Sequence, residues 1–424
     1  MKSFILKGDI CYSLLSGELK AAEDSHLVCI EGKSAGVYET LPESYRGLPL
    51  IDCRGQLIMP GLIDLHVHAP QFSYQALGMD LELIDWLNTY TFPAEARFAD
   101  LEHARAVYAA FVRDMQRGPN TRALIFATRH VPATLLLMDL LEESGLVSMV
   151  GKVNMDRNAP LALRETDAAA SLADTRFWLS KVAGKYRRVS PILTPRFIPA
   201  CSDELMAGLG ALQRETGLPV QSHLSETLQE TAWAEDLRPD ALSYGHAYWQ
   251  NGLFGGEAPT VMAHCVWPSE AEFALIKEQN IWVAHCPQSN TNLASGIAPI
   301  RRFLDAGIPV GLASDMAGGA HGSIFRAMTD AIAVSKLYWR LVDQEAAALS
   351  LEEAFYLGTL GGGRFFGQVG SFLEGYELDA LVIDDGAFFG TATYAIPERL
   401  ARVIYLSDDR HIRRKFVRGE AVAL

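Results

Sequence analysis

Through the middle of the chain, apolar runs of four to seven residues alternate with longer stretches of helical periodicity. Eight runs stand out: Leu62–His66, Ala123–Ala127, Val147–Val153, Ser190–Thr194, Val220–His223, Thr260–His264, Trp282–His285 and Val310–Ser314. Strands of a parallel sheet read this way because both of their faces are covered. Between two runs, Leu101, Ala104, Val107, Tyr108 and Phe111 form one apolar stripe, which predicts a helix over Asp100–Arg117. Ser269-Glu270-Ala271-Glu272 and Ser350-Leu351-Glu352-Glu353 have the form of capping boxes and predict two further helix starts. Eight buried strands with helices between them predict an α/β fold, a (β/α)8 TIM barrel. A doubly wound sheet would place a glycine-rich turn directly after its first strand. Here Gly61 precedes that strand and no glycine follows it closely.

The two ends have a different texture. Phe4–Leu6, His26–Glu31 and Leu50–Cys53, with Leu378–Ile383, Arg402–Leu406 and Lys415–Arg418, read as short β segments between turns. They predict a small β-sandwich built from residues 1–58 and 371–424, flanking a barrel over residues 59–370.

Composition narrows the function classes. A formal charge of −14 disfavours non-specific binding to nucleic acid or anionic membrane, which relies on clustered Lys and Arg. No apolar run approaches the ~20 residues that span a bilayer, and charge interrupts the N-terminus too early for a secretory signal. The six cysteines stand singly, as suits reduced thiols in a cytoplasm.

A barrel collects its functional side chains at the C-terminal ends of the strands. His66 (with His68 just beyond), His223, His264 and His285 close predicted strands, and His130 follows the second. On an extended strand, residues i and i+2 point the same way, so His66 and His68 face one centre. Singly, His223, His264 and Asp315 read equally well as core histidines and a helix-capping aspartate. Together with His66 and His68 they make three imidazoles, a carboxylate and a spare histidine around one barrel mouth. That donor set suits a catalytic metal with an open position for water. The fourth strand, Pro191–Arg196, has no lysine at its end to bridge two ions, so one metal is expected. Glu226, three residues past His223, is the expected general acid/base. A different metal pattern, His-x-Glu with Pro-Cys-x-x-Cys, is absent.

Met59-Pro60-Gly61-Leu62-Ile63-Asp64-Leu65-His66-Val67-His68 resembles the entry motif of the amidohydrolase superfamily. Further motifs are similar, in order, to the guanine deaminases. They are Ala69-Pro70-Gln71-Phe72, the block Trp86–Phe98, Thr194-Pro195-Arg196-Phe197, Gln221–Glu226, His285–Asn290, Ser314–Gly319 and Tyr405–Arg410. The resemblance covers nearly the whole chain. It implies one zinc per chain, with ferrous iron as the other candidate, held by His66, His68, His223 and Asp315. It further implies Glu226 as proton shuttle, His264 as holder of the hydrolytic water, and Gln71, Arg196 and Phe197 as purine contacts. In that scheme Asp315 takes a proton from the activated water as it attacks guanine C2, and Glu226 protonates N3. Ammonia leaves and xanthine remains. The expected partners are a small-molecule purine and a second copy in a homodimer, with neither nucleic acid nor membrane.

Three departures stand out. Ser314-Asp315 replaces the usual Thr-Asp, Pro119 and Arg122 sit where relatives favour a Gly-Thr-Thr-Thr-like turn, and Cys265 stands where glycine is frequent. Two other readings stay open on the residues alone: a related deaminase or dechlorinase acting on a pterin, an 8-oxopurine or a triazine, and a silent barrel used as a scaffold. The aromatic stretch Tyr244–Phe254 is expected to be a packed insertion.

Overall fold

The computed structural model describes residues 2–388 and 392–424. Four strands precede the barrel: β1 (Phe4–Leu15), β2 (Glu18–Ile30), β3 (Lys33–Tyr38) and β4 (Leu50–Pro60). β1, β2 and β4 are far longer than the three segments expected, and β3 was not among them. The polar residues Lys7, Gly8 and Asp9, which read as the end of a strand, are absorbed where the β1–β2 register shifts between Gly8 and Ile10. A bulge of this kind lets a strand continue past an interruption.

The barrel strands are β5 (Leu62–His68), β6 (Asn120–Phe126), β7 (Val147–Gly151), β8 (Val153–Asn154), β9 (Val189–Pro191), β10 (Thr194–Pro195), β11 (Val220–Leu224), β12 (Thr260–His264), β13 (Trp282–His285) and β14 (Val310–Leu312). Two parallel four-stranded sheets, β5-β6-β7-β9 and β11-β12-β13-β14, meet at both seams. At one, Leu193 bridges to Val220. At the other, the Asp315 amide donates to the His66 carbonyl at 2.9 Å.

The third and fourth strands are each interrupted, so that β7 pairs with β9 and β8 with β10. The close approach falls at Gly151, where a Cβ would lie 1.7 Å from Thr194 Oγ1. Ile63, Leu65, Leu124, Ile192, Val261, Ala263, Ala284 and Ala313 pack into one core of strand side chains. The expected helix runs over Leu101–Arg117, with Asp100 as its N-cap accepting from the Glu102 amide.

Past the barrel come β15 (Ala380–Ile383), β16 (Ile412–Val417) and β17 (Glu420–Val422). Both chain ends join one continuous seven-stranded sheet, ordered β17-β16-β15-β4-β1-β2-β3. One group of its side chains, including Phe4, Leu6, Ile10, Ile58 and Phe416, forms a separate core. Cys11, Leu57 and Met59 instead pack into the barrel's own core.

Arg402–Leu406 is a correction: it is the end of a helix, Ile396–Leu406, rather than a strand. Glu398 accepts from the Ala395 amide at its start, and Ile396, Leu400, Val403 and Ile404 are buried along one stripe. The apolar run Val403–Leu406, taken alone, carries no period that separates strand from helix.

Arg122 has a clear role in the packing. Its guanidinium is buried, donating to Asp379 at 2.7 and 3.1 Å and to Glu377 at 2.7 Å, and so ties the barrel to the strand carried by the chain's other end. Among the described residues, no helix is long and apolar enough to cross a membrane.

Candidate active site

β5 runs two residues beyond its expected end, which carries both of its histidines into the barrel mouth. His68 Nε2 lies 3.1 Å from His66 Nε2 and 3.2 Å from His223 Nε2. Asp315 Oδ1 lies 3.2 Å from His66 Nε2 and 3.7 Å from His68 Nε2. Four donors around a tetrahedral zinc, each at 2.0–2.1 Å, sit about 3.3 Å apart. The four contacts among these donors, 3.1–3.7 Å, are close to that spacing.

The protonation states fit as well. Burial holds His68 and His223 well below the ordinary imidazole range, and their neighbouring histidines lower them further. Burial also keeps His66 low against the pull of Asp315. Burial alone would raise Asp315, but the His66 hydrogen bond and charge hold it below its ordinary value. His223 Nδ1 contacts the Arg196 carbonyl at 2.6 Å. A carbonyl can only accept, so Nδ1 carries the hydrogen and the Nε2 lone pair turns inward. Among the described residues, the groups of His, Cys, Asp and Glu able to hold a metal all fall at this mouth: His66/His223/His264, His66/His68/Asp315 and His264/Cys286/Asp315.

Glu226 and His264 flank the donors. His264 Nε2 is 3.4 Å from Glu226 Oε2 and 3.9 Å from Asp315 Oδ2. Its Nδ1 contacts Asn290 Oδ1 at 2.9 Å, and Ser295 donates to Glu226 Oε1 at 3.0 Å. Burial would lower His264, yet the charges of Glu226 and Asp315 raise it. Burial raises Glu226 despite the nearby His264. The two carboxylates are thus driven apart, Asp315 down and Glu226 up, as an acid/base pair requires.

The backbone at the end of β12 turns sharply here. His264 has φ 75° and Cys265 φ 47°. This left-handed conformation is the one glycine adopts without strain, and here two residues with side chains hold it.

Gln71, Arg196 and Phe197 line the same pocket with Leu83, Trp86, Leu87 and Leu293. Phe197 packs edge-on to Trp233, with ring centroids 6.0 Å apart. The structure therefore brings His66, His68, His223, Asp315, Glu226, His264, Gln71, Arg196 and Phe197 together at one mouth. His130 and His285 are not brought in. His130 precedes the helix Val131–Ser144, and His285 lines a separate small cavity with Ala298, Arg301 and Ser335.

Sequence reasoning missed several supports. Tyr248 donates to the His223 carbonyl at 3.0 Å, and Tyr244 to Glu230 at 2.6 Å, so the packed Tyr244–Phe254 stretch braces the site from behind. Glu230 accepts from the Glu226 amide at 2.9 Å, and burial with the Glu226 charge pushes it up to about 7. Glu226 lies before the helix Leu228–Leu237 that carries Glu230, so no helical period announced this pairing. Asn290 closes the His285–Asn290 motif, but its contact with His264 was not foreseen, and Ser295 carried no signal, because only the fold brings it to Glu226.

Such a barrel, with imidazoles and a carboxylate at its mouth, defines a class, and the family comparison agrees. The chain belongs to the amidohydrolase family, whose model matches residues 57–422. Members of this family are typically metal-dependent, in keeping with the donor set. Its similarity within the family is specific. The chain is 38% identical to the guanine deaminase of Dictyostelium discoideum over 381 residues, covering 88% of this chain and 84% of that protein. It is 36% identical to the guanine deaminase of Homo sapiens, covering 87% and 83%. Among solved structures, the guanine deaminase from C. acetobutylicum with guanine bound in its active site superposes with a TM-score of 0.97. That protein is 45% identical, and the match covers 99% of this chain and 100% of that one.

Proposed function

We propose that this chain is a hydrolytic guanine deaminase, converting guanine and water to xanthine and ammonia with one zinc ion per chain. The observation that carries the reading is the gathering of His66, His68, His223 and Asp315 around His68, with contacts of 3.1–3.7 Å among them, beside an acid/base pair and a polar slot. Zinc, when bound, supplies Lewis acidity that makes water acidic near neutral pH.

The chain's own groups do the rest. Asp315, held ionised, accepts a proton from the attacking water. His264, anchored on Asn290, presents Nε2 toward both carboxylates and so holds that water on the C2 side. Glu226, raised by burial, keeps its proton to higher pH and delivers it to N3 as water adds to C2. Protons then pass to the 2-amino group, the C2–N bond breaks, and ammonia leaves. Arg196 presents N–H donors to the O6 and N7 acceptors, as a guanidinium does in reading guanine elsewhere. Gln71 adds an amide contact, and Phe197 a stacking face.

The same proposal holds the enzyme to be a cytoplasmic homodimer. The exposed apolar side chains Leu337, Leu341 and Val342 at one helix end support self-association, which sedimentation of the purified chain tests.

An ammonia-release screen across guanine, adenine, cytosine, 8-oxoguanine, pterins and aminotriazines, with metal analysis, tests the whole reading. Guanine should rank among the best substrates with about one zinc per chain. A better pterin or triazine substrate would move the proposal to that heterocycle. Iron in place of zinc would change the metal alone.

A further inference from the structure

Glu95 sits in the Trp86–Phe98 block, buried, behind the two polar side chains that face the slot. Arg196 Nη1 donates to its Oε2 at 2.6 Å, and Arg196 Nη2 to its Oε1 at 3.3 Å. Gln71 Nε2 also donates to Oε1, at 3.2 Å. A guanidinium has five N–H donors in a fixed plane. Taking one hydrogen from each Nη occupies its end and leaves the edge formed by Nε–H and the second Nη2–H. Phe92 lies under the plane, with Arg196 Cζ 5.3 Å from the ring centroid. Gln71 is held in one sense too, because the Ala317 amide donates to its Oε1 at 3.1 Å while a carboxylate faces its nitrogen. Neither partner tolerates the flipped amide.

We infer that Glu95 is a specificity-determining positioning residue. It clamps the end of Arg196 so that the free two-donor edge faces the slot, and it thereby selects purines with two adjacent acceptors, a 6-oxo group and N7. A 6-amino group would set donor against donor on that edge. The inference rests on the reading of Arg196 as a purine contact.

The test compares two ligands that need no turnover, hypoxanthine (6-oxo and N7) and unsubstituted purine (N7 only), as competitive inhibitors of the zinc-loaded enzyme. Glu95→Gln should weaken hypoxanthine about tenfold or more and purine by less than about threefold, with metal content unchanged. Equal weakening of both ligands, or no weakening of hypoxanthine, overturns the inference. Should the Gln variant fail to fold, Glu95→Asp keeps the charge, shortens the reach and gives the same readout. Arg196→Met separates the two layers. If it leaves the hypoxanthine-to-purine preference intact, the reading of Arg196 fails. If it collapses the preference while both Glu95 variants spare it, only the role of Glu95 fails.

Discussion

Replacing Glu226 with Gln is the sharpest test of the acid/base assignment, because the environment preserves everything except the proton. Ser295 donates to one oxygen of this side chain, a bond that a Gln carbonyl accepts equally well. The other oxygen faces His264 Nε2 at 3.4 Å. With its Nδ1 hydrogen placed on Asn290, a neutral His264 presents a lone pair there, to which the Gln amide can donate. Packing and the metal donors should therefore survive, with metal content and melting temperature close to wild type. What is lost is a proton donor matched to N3. Positioned proton transfer contributes about 10²–10⁴ in rate, or about 3–5 kcal/mol of barrier. Turnover at saturating guanine should fall by that factor while KM changes little, since Glu226 is not among the groups that read the O6 and N7 edge. Ammonia release with parallel metal analysis measures it. A variant with full metal and a kcat within about threefold of wild type would remove Glu226 from the chemistry.

Stripping the metal with a chelator should abolish activity, and one equivalent of zinc per chain should restore it. At free zinc about 100-fold above Kd, the transition should also rise by about 2.7 kcal/mol; activity that survives complete stripping would refute a metal role. Arg122→Met should cost about 3–5 kcal/mol in chemical denaturation, because it strands the buried Asp379 carboxylate in a seam between the barrel and the composite sheet. Arg122→Met with Asp379→Asn should recover part of that loss, and a single-variant cost below about 1 kcal/mol would show that the cluster does not hold the seam. His285 is fully buried, and burial with the nearby His264 charge pulls it down to about 3. The unfolded chain therefore binds more protons than the folded one between about pH 6.5 and 3, so this group erodes stability as pH falls through that window, by about 1.4 kcal/mol per unit at most. His285→Leu should flatten the acid side of the stability curve; identical slopes in the two proteins would exclude the group.

Much of this architecture was legible in one dimension. Strands buried on both faces must be apolar throughout, so the eight runs announced themselves, and the two-residue period of a strand alone put His66 and His68 on one side. Chain ends were harder. The bulge at Gly8–Ile10 hid the length of β1, and the last turn of the Ile396–Leu406 helix looked like a strand because four residues carry no usable period.

What lay beyond the sequence shares one property: each feature joins positions that only the closed barrel makes neighbours. The Arg122–Asp379 tie spans 257 positions, and the Arg196–Glu95 clamp spans 101. The five strand-end histidines and His130 were alike as sequence, yet His285 and His130 stay outside the metal site, because a ring's direction depends on where its strand stops and how the next loop turns. Proton affinities were decided at the same level. Asp315 and Glu226 are both buried carboxylates; the hydrogen bond and charge of His66 hold one down, while burial sends the other up against the pull of His264. Residue types and local periodicity thus determined which groups were available, while long-range packing determined which of them meet and in what protonation state.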